Sequence, residues 1–180
     1  AVVKRVIHTT GDPGIIEHIK FHPGAAQAGR EALRQGKNVF TDVNMLKAGI
    51  NRKKLRSYGG EVYCSIAEPE IVAAAQDWQI TRAAASMRLF AKRLDGAVIA
   101  IGNAPTALFE VMDMIEKGIA RPALIIGTPV GFVGAAESKD LLAAANLVPY
   151  ITVTGTRGGS PIAVSMINAL LYYEGENGAG

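Results

Sequence analysis

The sequence predicts an α/β protein built on a parallel sheet, and two observations carry this prediction. The apolar runs Val98–Ile101 and Ala123–Ile126 are each followed at once by a glycine-containing turn and then by a helical pattern. Strand, turn and helix in repeated succession are the unit of a parallel sheet. The 180 residues, 49% hydrophobic and 19% charged, also suit one domain with a hydrophobic core. We therefore expect a single domain over residues 1–180, and because the first residue is not Met, a numbering that starts inside a longer protein.

The N-terminal segment predicts a helix that ends early. The first seven residues have the apolar spacing of a helix end, and His8–Asp12 breaks the pattern. Gly11 can adopt the positive φ that ends a helix, and Pro13 can open the next one. The polar segment that follows carries His18 and His22, which are expected to be exposed.

Five strands and six helices are then predicted where apolar runs alternate with helical patterns. The strands are expected at 38–43, 61–67, 97–102, 123–130 and 149–155. The helices are expected at 23–36, 44–49, 81–94, 104–117, 135–145 and 160–172. The dipeptide Ser160-Pro161 suits the start of the last helix, because a hydroxyl can cap a first turn and Pro is tolerated there. The basic segment 51–60 is expected to be a connection, and 174–180 a loose tail.

The charge is unevenly distributed along the chain. Residues 1–100 hold 15 Lys and Arg against 9 Asp and Glu, whereas residues 101–180 hold 4 against 7. A basic half can attract nucleic acid or an acidic small molecule. Apart from Arg52-Lys53-Lys54, the basic residues are scattered and are not interleaved with aromatic side chains. We therefore expect an acidic metabolite as the partner and no nucleic acid.

The chain is expected to be a cytoplasmic protein without a membrane partner. No apolar run approaches the roughly 20 residues that a membrane span needs, and the first residues lack the apolar core of a signal peptide. The single cysteine, Cys64, cannot form an internal disulfide, which favours a reducing compartment. Cys64 lies in an apolar run, so we expect a buried thiol in preference to a nucleophile.

Chemistry is expected at the turns that follow the strands. In open parallel sheets, ligands bind outside the carboxyl ends of the strands, where the turns Gly102–Thr106 and Gly127–Gly134 and the acidic Asp42 are predicted. By themselves, the glycines can equally be ordinary turn residues of a doubly wound sheet. Their spacing matches neither a dinucleotide fingerprint nor a Walker A loop, and no group of His, Cys and Asp has zinc-ligand spacing. No cofactor or metal is therefore predicted, although a nucleotide-binding protein stays open as a minor alternative.

His8 is the candidate acid of the chain. It is expected at the break between two helices, next to the hydroxyls of Thr9 and Thr10 and close to Asp12. An isolated histidine is more often structural than catalytic, but this position gives it polar neighbours. Imidazole is the side chain that most readily exchanges a proton near neutral pH. His8 is therefore the side chain that we expect to act as an acid or a base.

Several motifs together resemble the precorrin-8X methylmutase family of corrin-ring biosynthesis. The matching segments span about residues 6–170 and are HTTGD at 8–12, TDV at 41–43, TR at 81–82, GNAPTAL at 102–108, GTPVGFVGAAESKD at 127–140 and GGS at 158–160. GNAPTAL together with PVGFVGAAESK is highly specific for that family. The resemblance implies a flavodoxin-like, three-layer α/β/α fold with a five-stranded parallel sheet, in a homodimer.

The resemblance also implies an isomerase that acts on a tetrapyrrole. Its substrate would be precorrin-8X or the cobalt form, and a methyl group would move to the adjacent carbon of ring C to give hydrogenobyrinate or cobyrinate. No redox cofactor is implied, because the step resembles a sigmatropic shift. In the family, the histidine of the first motif donates a proton to the macrocycle, and here that residue is His8. The candidate substrate-binding residues are Thr9, Asp42, Arg82, Gly102, Asn103, Thr106, Gly131, Gly134, Lys139, Arg157 and Ser160.

Three departures from the family pattern leave an alternative open. The family's N-terminal Ser-Phe element lies outside the visible sequence, Ile80 stands where Asn is usual, and Arg157 lies one place later than the usual Gly-Arg of its turn. The first and third departures concern the recognition of carboxylates and leave the fold unaffected. The alternative is a non-catalytic corrinoid-binding protein, or a relative with an altered substrate.

Overall fold

The computed structural model describes residues 1–173, so the predicted tail at 174–180 lies outside it. The strands are β1 (Ile19–Phe21), β2 (Val39–Thr41), β3 (Val62–Tyr63), β4 (Val98–Ile101), β5 (Leu124–Gly127) and β6 (Tyr150–Val153). The helices are α1 (Val2–Thr10), α2 (Ala25–Arg34), α3 (Asn44–Gly49), α4 (Arg52–Arg56), α5 (Pro69–Asp77), α6 (Arg82–Phe90), α7 (Pro105–Glu116), α8 (Ala135–Ala145) and α9 (Ser160–Tyr172). Two short 3-10 helices lie at Pro13–His18 and Ala91–Arg93.

The strands form one six-stranded sheet in the order β1-β6-β5-β4-β2-β3. Strands β2 to β6 are parallel to their neighbours, whereas β1 runs antiparallel to β6. The prediction of five parallel strands alone is therefore wrong at this edge, because a three-residue strand shows no periodicity in sequence. The strand β1 forms on hydrogen-bonding groups of β6 and its flanks: the Thr154 N–H donates to the His18 carbonyl oxygen over 2.8 Å, and the His22 N–H donates to that of Tyr150 over 2.9 Å. Both histidines are half-buried as a result, and not exposed as predicted.

Helices cover both faces of the sheet, because its inner strands are buried on both sides. In β4, Val98 and Ala100 pack with α1, α2, α3 and α9, whereas Ile99 and Ile101 pack with α6, α7 and α8. Burial on both faces explains why these strands read as continuous apolar runs and not as alternating patterns. Because the strands β2 to β6 are parallel, the loops that join each of them to its following helix lie at one edge of the sheet.

The ends of α1 explain where its histidine lies. The helix continues past its predicted end to Thr10, whose hydroxyl donates to the Val6 carbonyl oxygen over 3.0 Å. It stops at Gly11, which has a φ of 66° and the left-handed conformation predicted for it. His8 therefore lies in the last turn of α1 and not, as predicted, in a break between helices.

The connections on either side of β3 contain helical structure that the sequence pattern did not indicate. The Asn51 side chain accepts a hydrogen bond from the Lys54 N–H over 2.9 Å and caps α4 inside the predicted connection 51–60. The segment before α6 holds α5, which is separated from α6 by Gln79 with a φ of 53°. The bounds of α3, α8 and α9, in contrast, are the predicted ones.

Two further expectations concern the whole chain. Within residues 1–173, the helices are too short or too polar for any of them to cross a bilayer. Cys64 is buried, with 8% of its surface exposed, as predicted.

Candidate active site

The predicted site residues come together at the carboxyl edge of the parallel strands. Asp42 follows β2, Gly102 and Asn103 follow β4, Gly131 follows β5, and Arg157 follows β6. These strands end at the same edge because they are parallel to one another. The end of α1 reaches this edge as well, since the chain after it leads into β1, which begins beside the end of β6. The candidate acid and the glycine turns therefore share one edge of the sheet.

Asp42 lies beneath the turn after β4 and holds its backbone. Its fully buried carboxylate accepts hydrogen bonds from the N–H groups of Gly102 (3.0 Å), Asn103 (2.8 Å) and Ala104 (2.7 Å). Burial raises the pKa of the Asp42 carboxyl, and the three N–H donors oppose that rise. In this structure Asp42 holds the turn after β4, which together with the turns after β5 and β6 forms what we call the rim. Its assignment to substrate binding stays a prediction.

The turns after β4, β5 and β6 pack backbone against backbone. A Cβ at Gly102 would lie 2.8 Å from the Ser160 Cα, and a Cβ at Gly158 would lie 2.8 Å from the Pro129 carbonyl oxygen. Glycine is required at both positions because any side chain would push the turns apart. The Ser160 hydroxyl does not cap α9 as predicted, because the helix begins at Ser160 itself and Gly159 occupies the cap position.

The two predicted cations Lys139 and Arg157 meet at the loop between β6 and α9. Lys139 is fully buried, and its ammonium donates to the Arg157 carbonyl oxygen. Burial lowers the pKa of Lys139 to about 8, although the nearby negative charge of Asp140 acts to raise it. The half-exposed guanidinium of Arg157 donates to the Asp12 carboxylate over 2.7 Å. Lys139 thus supports the loop from below, so its assignment to substrate binding stays a prediction, while Arg157 keeps further N–H groups for a ligand.

His8 lines a cavity of about 370 Å³ between the end of α1 and the start of α9, which we call the histidine cavity. Arg5 and Thr9 line it as well, and the remaining walls are Met45, Gly49, Pro161, Val164, Ser165 and Asn168. His8 and Thr9 follow Arg5 at the three- and four-residue spacing that places side chains on one helix face. Arg5 is exposed and forms no ion pair with any residue in the range 1–173. The histidine cavity therefore offers an imidazole, an uncommitted guanidinium and mainly apolar walls.

A second cavity, of about 510 Å³, lies between α6 and α7, and we call it the α6–α7 cavity. Thr106 lines it, and its hydroxyl oxygen lies 2.7 Å from that of Thr81, which caps α6. Arg88 also lines it but is bound at two nitrogens by Glu110, over 2.7 and 2.8 Å. Arg82 is the exposed first residue of α6. Thr106 and Arg82 thus belong to the α6–α7 side of the edge, away from the candidate acid.

The loop between β5 and α8 contributes an apolar surface beside the rim. The Gly131 N–H donates to the Thr156 carbonyl oxygen over 3.3 Å, which ties this loop to the one after β6. Gly134 precedes α8 with a φ of 75°. Between the two glycines, Phe132 is 93% exposed and Val133 is 89% exposed. A flat apolar ligand at the rim would therefore find apolar side chains there.

Three residues of this edge were not among the predicted site residues, namely Arg5, Asp12 and Thr128. Thr128 is fully buried, and its carbonyl oxygen accepts the Gly159 N–H over 2.8 Å. The sequence did carry a signal for Arg5, since a helix places it on the same face as His8. Asp12 and Thr128 lie within the matching motifs at 8–12 and 127–140, but the sequence gave no indication of their partners Arg157 and Gly159, which lie far along the chain.

Comparison with known proteins reveals similarity over almost the whole chain. The sequence profile of a family described as precorrin-8X methylmutase matches residues 1–173. The cobalt-precorrin-8 methylmutase of Priestia megaterium is 46% identical over 169 residues, which are 94% of this chain and 75% of that protein. The precorrin-8X methylmutase of Pseudomonas aeruginosa is 44% identical over 167 residues, which are 92% of this chain and 80% of that protein. A crystal structure of the precorrin-8X methylmutase from Thermus thermophilus superposes with a TM-score of 0.86 at 39% identity, over 94% of this chain and 83% of that one.

Proposed function

This chain belongs to the precorrin-8X methylmutase family, and we propose that its His8 donates the proton that drives a methyl shift on a corrin-precursor macrocycle. The protein is an isomerase, an intramolecular transferase of corrin-ring biosynthesis. Its substrate is precorrin-8X or the cobalt form of that compound. The alternative of a non-catalytic corrinoid-binding relative is not favoured, because relatives that are 44% and 46% identical over nearly the whole chain are named methylmutases.

The reaction leaves the composition and the oxidation state of the substrate unchanged. One carbon–carbon bond to the methyl group breaks as another forms at the adjacent ring carbon, so the product is an isomer and no electron donor or acceptor is consumed. Protonation of the conjugated ring draws electron density away from the migration site and lowers the barrier, and the proton leaves again after the shift. A positioned acid of this kind contributes roughly 100- to 10,000-fold to a rate.

The observation that carries the assignment of the acid is the position of His8 in the histidine cavity. Of the three histidines in the sequence, His8 lines the histidine cavity at the carboxyl edge. His18 and His22 flank β1 and are half-buried. The His8 side chain is exposed, and the apolar walls beside it suit a macrocycle whose faces are apolar. A macrocycle bound against these walls would cover the imidazole and separate its proton from water.

We propose that the carboxylates at the periphery of the macrocycle bind the arginine side chains at this edge of the sheet. Corrin precursors carry acetate and propionate side chains, and guanidinium groups bind such carboxylates at two points. Arg157 retains N–H groups beyond the one given to Asp12, Arg5 lies in the histidine cavity, and Arg82 is exposed at the start of α6. Three guanidinium groups are therefore available along the edge for a substrate with several carboxylates.

The flat faces of the macrocycle are proposed to lie against the glycine turns, where the backbone can approach closely. Direct contacts are assigned to Thr9, Asn103, Thr106, Gly131 and Gly134, whereas the buried Gly102 lets the turn pack closely against Ser160. Asp42, Lys139 and Ser160 are buried beneath these turns, and we propose that they act by holding the turns in place. Phe132 and Val133 add apolar contact area from the loop after β5.

We further propose that the five parallel strands have the flavodoxin-like arrangement. Counted in chain order, β2 to β6 stand in the order 2-1-3-4-5, which is the order of that fold, and β1 is added at one edge. A homodimer in the cytoplasm is the assembly that the family resemblance implies. Light scattering on a size-exclusion column tests it, since the dimer has twice the mass of one chain.

Absorption spectroscopy tests the proposed function. Wild-type protein mixed with precorrin-8X should turn the spectrum of the substrate into that of hydrogenobyrinate. The variant His8→Ala should still bind the substrate but convert it about 100- to 10,000-fold more slowly. The matched control is His22→Asn, which changes a half-buried histidine beside the start of β6 and should convert normally. Full activity in His8→Ala would remove His8 from the mechanism, and binding without conversion by the wild type would favour the non-catalytic alternative.

A further inference from the structure

One ion pair at the rim joins two elements that are remote in sequence. The Arg157 guanidinium donates to the Asp12 carboxylate over 2.7 Å, across 145 positions of the chain. The two side chains are 51% and 46% exposed, so the pair lies at the surface of the rim and within reach of a ligand. It connects the segment that ends α1, and therefore the residues next to His8, to the loop between β6 and α9.

On its own side, Asp12 is held firmly in place. Its carboxylate also accepts the Gly14 N–H over 2.8 Å, and its own N–H donates to the Thr10 hydroxyl over 3.2 Å. The left-handed Gly11 between these residues turns the chain at this point. Asp12 is therefore a fixed acceptor at the end of the helix that carries the proposed acid.

On the other side, the loop that carries Arg157 is anchored at several points of the rim. The Arg157 carbonyl oxygen accepts the Lys139 ammonium, and the Thr156 carbonyl oxygen accepts the Gly131 N–H over 3.3 Å. The glycine at position 158 packs against the Pro129 backbone. The backbone of the loop is thus anchored by α8 and by the loop after β5. Among residues 1–173, the long side chain of Arg157 has a hydrogen bond to Asp12 alone to orient it.

We infer that Asp12 is a positioning residue that orients Arg157 toward a carboxylate of the substrate. This inference rests on the proposed function. A guanidinium has five N–H donors, and the bond to Asp12 leaves the others free for a second, ligand carboxylate. An arginine oriented in advance loses less conformational freedom on binding than one that moves freely. Asp12 therefore acts on the affinity for the acidic rim of the macrocycle and not on the proton transfer.

An ordinary surface ion pair would have no such effect, and the chain provides one for comparison. The Lys117 ammonium nitrogen lies 2.7 Å from a carboxylate oxygen of Asp113, and the two side chains are 61% and 48% exposed. Unlike Arg157 and Asp12, these residues are only four positions apart, at the end of α7. That pair orients no residue of the proposed site. It is therefore a matched control for the removal of a half-exposed carboxylate from an ion pair.

The experiment compares Asp12→Asn and Asp12→Ala with the control Asp113→Ala in turnover of precorrin-8X. We expect Asp12→Asn and Asp12→Ala to raise KM about threefold to fivefold, the upper part of the range of an exposed ion pair. We expect kcat to stay within twofold, and Asp113→Ala to change neither quantity. Titration of the product corrinoid by absorbance should show the same loss of affinity. Added salt should shrink the difference, because it screens exposed charges.

Several outcomes would overturn the inference. Wild-type KM in both Asp12 variants would show that Arg157 needs no orienting partner. An equal effect in Asp113→Ala would show a general response to lost surface charge, and a fall of kcat at constant KM would assign Asp12 to the chemical step. The proposed function fails separately, if the wild type does not convert the substrate or if His8→Ala does so normally.

Discussion

Two cavities at the same edge of the sheet differ in the state of their arginines. In the histidine cavity, Arg5 lies beside His8 without an ion-pair partner among residues 1–173. In the α6–α7 cavity, Arg88 is bound at two nitrogens by Glu110 and lies over the ring of Trp78 at 5.1 Å. In the larger of the two cavities, of about 510 Å³, the arginine is thus already paired with a carboxylate. In the smaller, of about 370 Å³, the arginine has no such partner among residues 1–173.

This difference teaches that cavity volume alone does not distinguish the proposed site from the other cavities of this protein. An arginine that already has a two-point carboxylate partner gains little from a ligand carboxylate, because it would have to give up equivalent bonds. An arginine whose donors face water exchanges weaker partners for a charged one. A third cavity, of about 400 Å³, is lined by none of the predicted site residues, which supports the same conclusion.

The strongest way to break the comparison is to block each cavity in turn. Met45 lines the histidine cavity with 64% of its surface exposed, and Asp113 lines the α6–α7 cavity. We expect Met45→Trp to lower kcat/KM for precorrin-8X at least about tenfold, because small displacements of a bound substrate are costly. Asp113→Trp should change it less than threefold, because Asp113 lies about two turns of α7 away from Thr106, the proposed contact in that cavity. Both positions are on the surface, so the melting temperatures should stay close to that of the wild type.

The opposite pattern would reverse the assignment of the two cavities. If Asp113→Trp lost activity and Met45→Trp did not, the main contacts of the substrate would be Thr106 and Arg82 on the α6–α7 side, and not the residues of the histidine cavity.

A matched pair of arginine variants gives the next largest effect. Arg5→Gln should raise KM about fivefold to tenfold, because it removes a charged hydrogen-bond donor from the proposed substrate rim. Its free energy of unfolding should not change, since Arg5 has no ion-pair partner in the described part of the chain. Arg88→Gln should leave KM within twofold but lower the free energy of unfolding by about 1–2 kcal/mol, because Glu110 loses its two-point partner.

Steady-state kinetics and urea unfolding measure these two quantities. A rise of KM in Arg88→Gln, or a loss of stability in Arg5→Gln, would contradict the distinction between an available arginine and a committed one.

The smallest effect is expected at Lys139, a third kind of cation that is buried without a carboxylate partner in the described residues. Folding lowers its pKa from 10.5 to about 8, so between these values the unfolded chain binds more protons than the folded one. The free energy of unfolding should therefore rise with pH through this window, relative to Lys139→Met, which lacks the titration. Urea unfolding of both proteins at pH 7.5 and pH 9.5 measures the difference. Parallel pH dependence of the two proteins would show that Lys139 is not desolvated as the structure has it.

Much of the fold could be predicted because the signals for it are local. Apolar runs followed by glycine turns located β4 and β5, and the small-residue pattern located α8. The strand β1 could not be found in this way, since its three residues become a strand only through pairing with β6. The helix α4 was missed for a similar reason, because a basic run shows no apolar stripe.

For the candidate site as well, the local features could be predicted from the sequence, and the contacts between distant segments could not. The order of residues was enough to identify the family resemblance and to predict that the glycine turns lie at one edge of the sheet, because these signals depend on neighbours a few positions away. The role of His8 stays a prediction. The order of residues could not tell that Asp42 is occupied by the turn after β4, that Lys139 is buried, or that Arg5 is available while Arg88 is not. The availability of a charged group depends on partners from distant parts of the chain, and folding alone brings those partners together.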